Sequence, residues 1–264
     1  MLGTIIGDIA GSIYERHNIK TKEFEFFNRR CHFTDDTVMT LAVAKAILNC
    51  KGDYSGLYGQ TISCMQALGN KYPRAGYGRG FRMWLKSEDP QPYYSYGNGS
   101  AMRSSPCGYA AKTLEEALML AEITAKVTHD HPEGIKGAQA VAAAVFLARN
   151  GKNIPEISEY INTDFYQINF TIDEIRPTYS FSSSCQSSVP QALQAFFESS
   201  DFEDAVRNAI SIGGDSDTIA AIAGSIAEAY YGIPDDIKRN AFKYLDNTLI
   251  EIYNAFEAEI SDKT

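Results

Sequence analysis

The sequence predicts an all-α fold in one domain spanning residues 1–264. Three observations carry this. Apolar residues recur at i, i+3, i+4 spacing, alternating runs are nearly absent, and helix-start signals recur along the chain. The first helix carries Gly3, Gly7 and Gly11 at four-residue spacing. Each glycine costs ~1 kcal/mol in a helix interior, so three cost about 3 kcal/mol by that scale. Close approach of another helix would repay it, and Ala220, Ala223, Gly224 and Ala227 form a matching small face. From Asp36 to Cys50, Val38, Leu41, Ala42 and Ala46 follow the helical rhythm. Thr113-Leu-Glu-Glu116 reads as a capping box opening a helix to about Thr128. An alanine-rich helix follows from about Pro132 to Arg149. Asp201 caps another, Ile219 to Tyr231 is helical, and Pro234 suits the first turn of the C-terminal helix. Only Tyr166 to Ile172 alternates, and it reads as a short, solitary strand. Typical helix lengths of ~11–12 residues give roughly ten to fourteen helices. Gly76–Gly80, Pro90–Gly99 and Arg176–Pro190 read as surface loops.

Composition narrows the function. With 44% hydrophobic and 22% charged residues, the chain can bury a large core. There are 24 basic and 33 acidic side chains, a net charge of −9, and no basic run. That excludes a broad nucleic-acid surface working by counterion release. No apolar run approaches the ~20 residues of a membrane span, and Asp8 interrupts the N-terminal apolar stretch, so it does not read as a signal peptide. Cys31, Cys50, Cys64, Cys107 and Cys185 are odd in number and lack CxxC spacing, which fits reduced thiols in a cytoplasmic protein.

Two acidic clusters stand at helix entrances. The first is Phe33-Thr-Asp-Asp-Thr37, where Thr34 or Asp35 serves as N-cap. The second is Gly213-Gly-Asp-Ser-Asp-Thr218. Four carboxylates exceed what two caps require. Hard cations such as Mg²⁺ and Mn²⁺ prefer oxygen donors, with carboxylates supplying charge and threonine hydroxyls neutral donors. If the entrances face each other, mutual repulsion disfavours the metal-free form unless some carboxylates are protonated. Two divalent ions balance four carboxylates, a recurring hydrolytic arrangement. Asp8 and Glu15, seven residues apart on the first helix, point to the same side.

Ser95-Tyr-Gly-Asn-Gly99 is a flexible loop entering a helix, whose N–H groups suit a phosphate; it lacks the P-loop lysine. His129 and His131 lie in a helix junction. With no third soft ligand nearby they do not read as a zinc site, and His129 suits phosphate or ribose hydrogen bonding. Tyr179 and Phe181 are candidates to wall an aromatic base.

Taken in order, GDIAGSIYE, FTDDT, YGNGSAMR, THDHPEG and GGDSDTIAAIAGSIAEAYYG resemble the ADP-ribosylglycohydrolase family, which includes ADP-ribosyl-arginine and ADP-ribosyl-serine hydrolases. These motifs extend over most of the chain. The resemblance implies a compact orthogonal multi-helix bundle with a binuclear Mg²⁺ or Mn²⁺ centre. It implies Thr34, Asp35, Asp36, Asp215, Asp217 and Thr218 as ligands, Glu15 and Asp36 as catalytic residues, and Ser95, Tyr96, Gly97, Asn98, Gly99 and His129 as substrate contacts. The implied reaction is hydrolysis at the distal ribose of an ADP-ribosylated protein or small molecule; separately, the chain is expected to be a monomer. No role transfers to Glu133 or His131. Two alternatives stay open: a non-catalytic ADP-ribose-binding or structural relative, and a metal-dependent phosphohydrolase acting on a nucleotide-sugar. The acceptor linkage is not readable from the residues.

Overall fold

The computed structural model describes residues 1–261. Among them are fifteen α-helices, two 3₁₀ turns (Tyr54–Gly56 and Phe242–Tyr244) and no strand. The order is α1 (Leu2–Gly11), α2 (Asp35–Cys50), α3 (Leu57–Lys71), α4 (Arg79–Leu85), α5 (Gly99–Met102), α6 (Ser105–Ala110), α7 (Leu114–Lys126) and α8 (Pro132–Arg149). There follow α9 (Ile154–Asp164), α10 (Ile172–Ile175), α11 (Cys185–Phe197), α12 (Phe202–Ser211), α13 (Ser216–Tyr231), α14 (Asp235–Ala241) and α15 (Asn247–Ser261).

Helix α13 is the hub, packed by α1, α8, α11 and α12. The α1–α13 contact explains the glycine spacing. A Cβ on Gly3 would lie 2.1 Å from Gly224 O, one on Gly7 2.1 Å from Ala220 O, and one on Gly11 2.6 Å from Asp217 Cα. The two backbones touch, so no side chain larger than hydrogen fits. At the head of α1, the Gly3 N–H donates to the Glu228 carboxylate of α13 at 2.7 Å, satisfying a group the helix itself cannot. The remaining core is aliphatic and alanine-rich, with Ala138, Ala140, Val141, Ala142 and Val145 of α8 fully buried.

Capping follows the sequence closely. Thr34 caps α2 by accepting from Asp36 N, and Asp201 caps α12 by accepting from Asp204 N at 2.8 Å. Thr113 caps α7, but Glu116 reaches Lys112 N rather than the Thr113 N–H, so the reciprocal box is not closed.

Several expectations are corrected. Helices number one more than the upper bound because short pieces (α5, α10) punctuate the loops. Tyr166 to Ile172 is not a strand. No neighbouring segment offers a ladder, and Ile168 N donates instead to Asn162 Oδ1 at 2.6 Å before a Thr171–Glu174 capping box starts α10. Pro234 caps α14, a separate short helix, and the C-terminal helix begins thirteen residues later at Asn247. The Arg176–Pro190 loop ends at Ser184, and Pro190 lies buried inside α11. Proline's fixed φ is compatible with a helix, and burial of Val189, Leu193 and Phe196 outweighs the missing N–H. No described helix is long and apolar enough to cross a membrane.

Candidate active site

The N-termini of α2 and α13 meet. Thr218 Oγ1 donates to Asp36 Oδ2 at 3.2 Å, joining residues 182 positions apart. Asp36 and Asp217 are buried, as is Asp215 at the N-cap position of α13, while Asp35 is half-buried. The Asp215 side chain makes no capping bond, and Thr34 already caps α2. Asp217 takes a local backbone bond, from Thr218 N at 3.0 Å, but most of the carboxylates exceed the needs of capping.

Asp8 organises the floor. It is fully buried on α1 and accepts four hydrogen bonds: from Thr34 N at 2.8 Å, Thr34 Oγ1 at 2.7 Å, Thr37 N at 3.1 Å and Thr37 Oγ1. One oxygen each of Asp8, Asp36 and Asp217 lies within 4.8 Å of the others, a spacing that fits a metal ion. Three of the threonine donors converge on Asp8 Oδ2 and one on Oδ1, whereas Asp36 Oδ1 is buried without a partner. Asp36 thus keeps a whole oxygen for a ligand, and Asp8 holds the first turn of α2 beneath it.

Burial dominates the electrostatics. It pushes the Asp36 and Asp217 carboxyls well above the usual range, and neighbouring carboxylates add to the effect. Asp35 is pushed up to about 8, first by burial and then by Asp8, Asp215 and Glu15. Burial also raises Asp8 and Asp215, against the opposing hydrogen bonds from Thr34 and Thr37 and from Asn98 respectively. No described cation neutralises this group. An orphaned oxygen, protonation-prone carboxylates and hydroxyl donors together fit a hard divalent cation.

Glu15 lines the same cleft, although by another route than expected. Helix α1 stops at Gly11, so Glu15 stands in the turn beyond it rather than two helical turns above Asp8. Asn18 clamps this turn to the second cluster: its amide donates to Gly214 O at 2.9 Å and its carbonyl accepts from Gly214 N at 2.8 Å. Gly213 and Gly214 adopt φ of 71° and 73°, which glycine reaches without strain. Lys20 Nζ adds bonds to Ile212 O and Tyr179 O.

The second wall is the loop before α5. Asn98 is buried and donates to Asp215 Oδ2 at 2.7 Å and Ser188 Oγ at 3.1 Å, tying the loop to the carboxylates. Gly97 N donates to Ser95 Oγ and Asn98 N to Ser183 O, so those two N–H groups are already committed. Ser95, Gly97, Asn98, Gly99 and His129 line the cleft. The Tyr96 side chain does not; it is exposed and packs edge-on against His131, leaving only its backbone in the loop. His131 caps α8 by accepting from Glu133 N at 3.0 Å. Tyr179 is no base-stacking wall either. Its ring fills the space beside Gly214 and its hydroxyl donates to Ser187 O. Phe181 lines the cleft and is exposed, so that expectation keeps its geometry.

Arg103, overlooked in the sequence, supports this wall. It is buried and lines the cleft, with Nη1 donating to Gly99 O at 2.7 Å and Nη2 to Thr128 Oγ1 at 2.8 Å. Burial lowers it to about 10, still charged at neutral pH. Thr128 Oγ1 lies 2.7 Å from His129 Nδ1. The other ring nitrogen, His129 Nε2, stands beside Gly97 and Gly99. Burial, then Arg103, holds His129 well below its ordinary value, so it is neutral. The motif YGNGSAMR contains Arg103 and its Gly99 partner, but Thr124 and Thr128 lie more than twenty residues away, where only the fold brings them together.

The cleft measures about 1150 Å³, beyond the roughly 300–1000 Å³ of small-molecule pockets. The ADP-ribosylglycohydrolase family model matches residues 1–261. The chain is 24% identical to mouse "ADP-ribosylhydrolase ARH3" over 88% of this chain and 83% of that protein. It is 27% identical to "ADP-ribosylarginine hydrolase Tri1" of Pseudomonas putida, over 88% and 70%. It is 28% identical to "ADP-ribosyl-[dinitrogen reductase] glycohydrolase" of Rhodospirillum rubrum, over 81% and 73%. A solved structure titled "ADP-ribosylglycohydrolase-related protein complex" shares the fold with a TM-score of 0.71 at 23% identity, covering 97% of this chain and 93% of that one. With its whole described length matched, this chain belongs to the ADP-ribosylglycohydrolase family of hydrolytic enzymes.

Proposed function

We propose that the chain hydrolyses the glycosidic bond at the distal ribose of ADP-ribosylated substrates and releases ADP-ribose. The observation that carries this is the Asn98–Asp215 bond, which ties the phosphate-type loop to the paired acidic helix entrances within one cleft. The similar proteins named above, hydrolases by title, support the substrate class.

In this reading Thr34, Asp35, Asp36, Asp215, Asp217 and Thr218 hold two divalent cations, Mg²⁺ or Mn²⁺. Such cations neutralise the carboxylates and lower the pKa of coordinated water towards neutrality. The chain's residues do the rest. Ser95, Gly97, Gly99 and His129 line the side that takes the diphosphate. The Tyr96 contribution is its backbone alone. Asn98 fixes Asp215 and the loop in one register. Asp36 Oδ1, lacking a partner, and Glu15, at the cleft edge, orient and deprotonate the attacking water. The transition state is oxocarbenium-like, so the Glu15 carboxylate, outside the ligand set, favours it electrostatically. Five unpaired cysteines support a reducing, cytoplasmic setting. In this reading the working unit is a single-domain monomer.

The test is product analysis on a panel of ADP-ribosyl linkages with Mg²⁺ and Mn²⁺. Free ADP-ribose is the expected product. AMP would indicate pyrophosphate cleavage, and tight ADP-ribose binding without turnover would indicate a non-catalytic module.

A further inference from the structure

The cleft has a side that the reaction just described does not use. Arg16 and His17 follow Glu15, Arg30 and His32 precede Thr34, and Arg74 precedes Gly76, whose missing Cβ would lie 3.0 Å from Asp35 Oδ1. All five basic residues line the cleft and are exposed. Among the described residues none of the five makes an ion pair, whereas Arg176 and Arg207 elsewhere each pair with a carboxylate. A chain of net charge −9 thus gathers three guanidinium groups and two imidazoles at one mouth. Four of them stand on the segments that carry Glu15 and Asp35, and Arg74 stands on the loop after α3 whose Gly76 meets Asp35. In the reading proposed above, the diphosphate lies against Gly97 and His129, a separate part of the lining. With the distal ribose over the carboxylates, the acceptor leaves across the arginine rim.

Resting on that reading of the cleft, we propose that the rim selects acceptors whose ADP-ribosylated side chain lies in an acidic peptide segment. Guanidinium groups match carboxylates in planar, paired geometry, and they face solvent with nothing else to bind. A peptide places a few carboxylates on the rim and then turns away. A long polyanion such as nucleic acid would run on over a surface of net negative charge and be repelled.

The test uses peptides ADP-ribosylated on serine and, in a parallel set, on arginine, each flanked by Glu, Gln or Lys residues. The Glu-flanked peptide should show kcat/KM about tenfold above the Lys-flanked one at low salt, with the ratio shrinking at high salt. The double variant Arg30→Glu, Arg74→Glu should reverse the order, a readout that loss of folding cannot imitate. Equal rates for all flanks in the wild-type protein would overturn the assignment. So would an unmodified oligonucleotide competing better than an unmodified Glu-rich peptide of equal charge. Release of ADP-ribose from none of the peptides would instead bring down the glycohydrolase reading, and the rim assignment with it.

Discussion

Asp8 accepts four hydrogen bonds in full burial with no cation beside it, and the geometry of the α2 entrance hangs on it. Replacing it with alanine strands two buried backbone N–H groups, each costing about 1–3 kcal/mol. We expect Asp8→Ala to lose about 3 kcal/mol or more in urea denaturation. Asp36→Ala and Asp217→Ala should instead keep most stability and lose divalent-cation binding in calorimetric titration. Retention of normal binding in both would remove them from the ligand set. Glu15→Gln should keep fold and ADP-ribose affinity but lose turnover; wild-type turnover would make it a bystander. Asp35 adds a pH dependence. Its folded value of about 8 exceeds the ordinary 3.8, so between these the folded state holds a proton that the unfolded state has released. Stability from this group is full below about pH 3.8 and is lost as pH rises through about 8. The metal-free Tm should fall over that interval, and the Tm gain on adding Mn²⁺ should grow. A metal-free Tm that rises from pH 5 to 8 would contradict the burial of these carboxylates. Asn18, Lys20 and Arg103 were not legible beforehand, because their partners are mostly backbone atoms brought close only by folding.

At the scale of elements, the α1–α13 contact is the most demanding in the molecule. A Cβ on Gly7 would sit 2.1 Å from Ala220 O, a clash with backbone that no rotamer relieves. We expect Gly7→Ala to destabilise by about 1–3 kcal/mol or more, read from the urea midpoint, despite alanine's better helix propensity. Here the four-residue glycine spacing announced both the contact and its partner face. Capping at Thr34, Thr113 and Asp201 was equally legible, because a cap needs only neighbours in sequence. Tyr166–Ile172 was misread for the opposite reason. Alternation marks a strand only when another strand exists to pair with it, and none does among the described residues. Pro190 shows the same override, where burial outweighs a local breaker.

Over the whole molecule, the net charge of −9 is unevenly placed. If the carboxylates load two divalent ions, the count becomes −9 + 4 = −5, and the repulsion meeting an anionic ligand drops locally. Chelation should therefore weaken ADP-ribose binding by at least about tenfold in titration. Unchanged affinity after chelation would separate the phosphate-binding wall from the acidic floor.

The sequence by itself determined the helical class, the small-residue seam and the two acid-rich entrances, because period, spacing and capping are local properties of the chain. It did not determine that Thr218 would reach Asp36, that Asn98 would seize Asp215, or that Tyr179 would brace a glycine turn while Phe181 faced the cleft. Those pairings join residues as many as 182 positions apart. They exist because backbone contact between α1 and α13 fixes which ends of the bundle converge, and only folding brings those ends together.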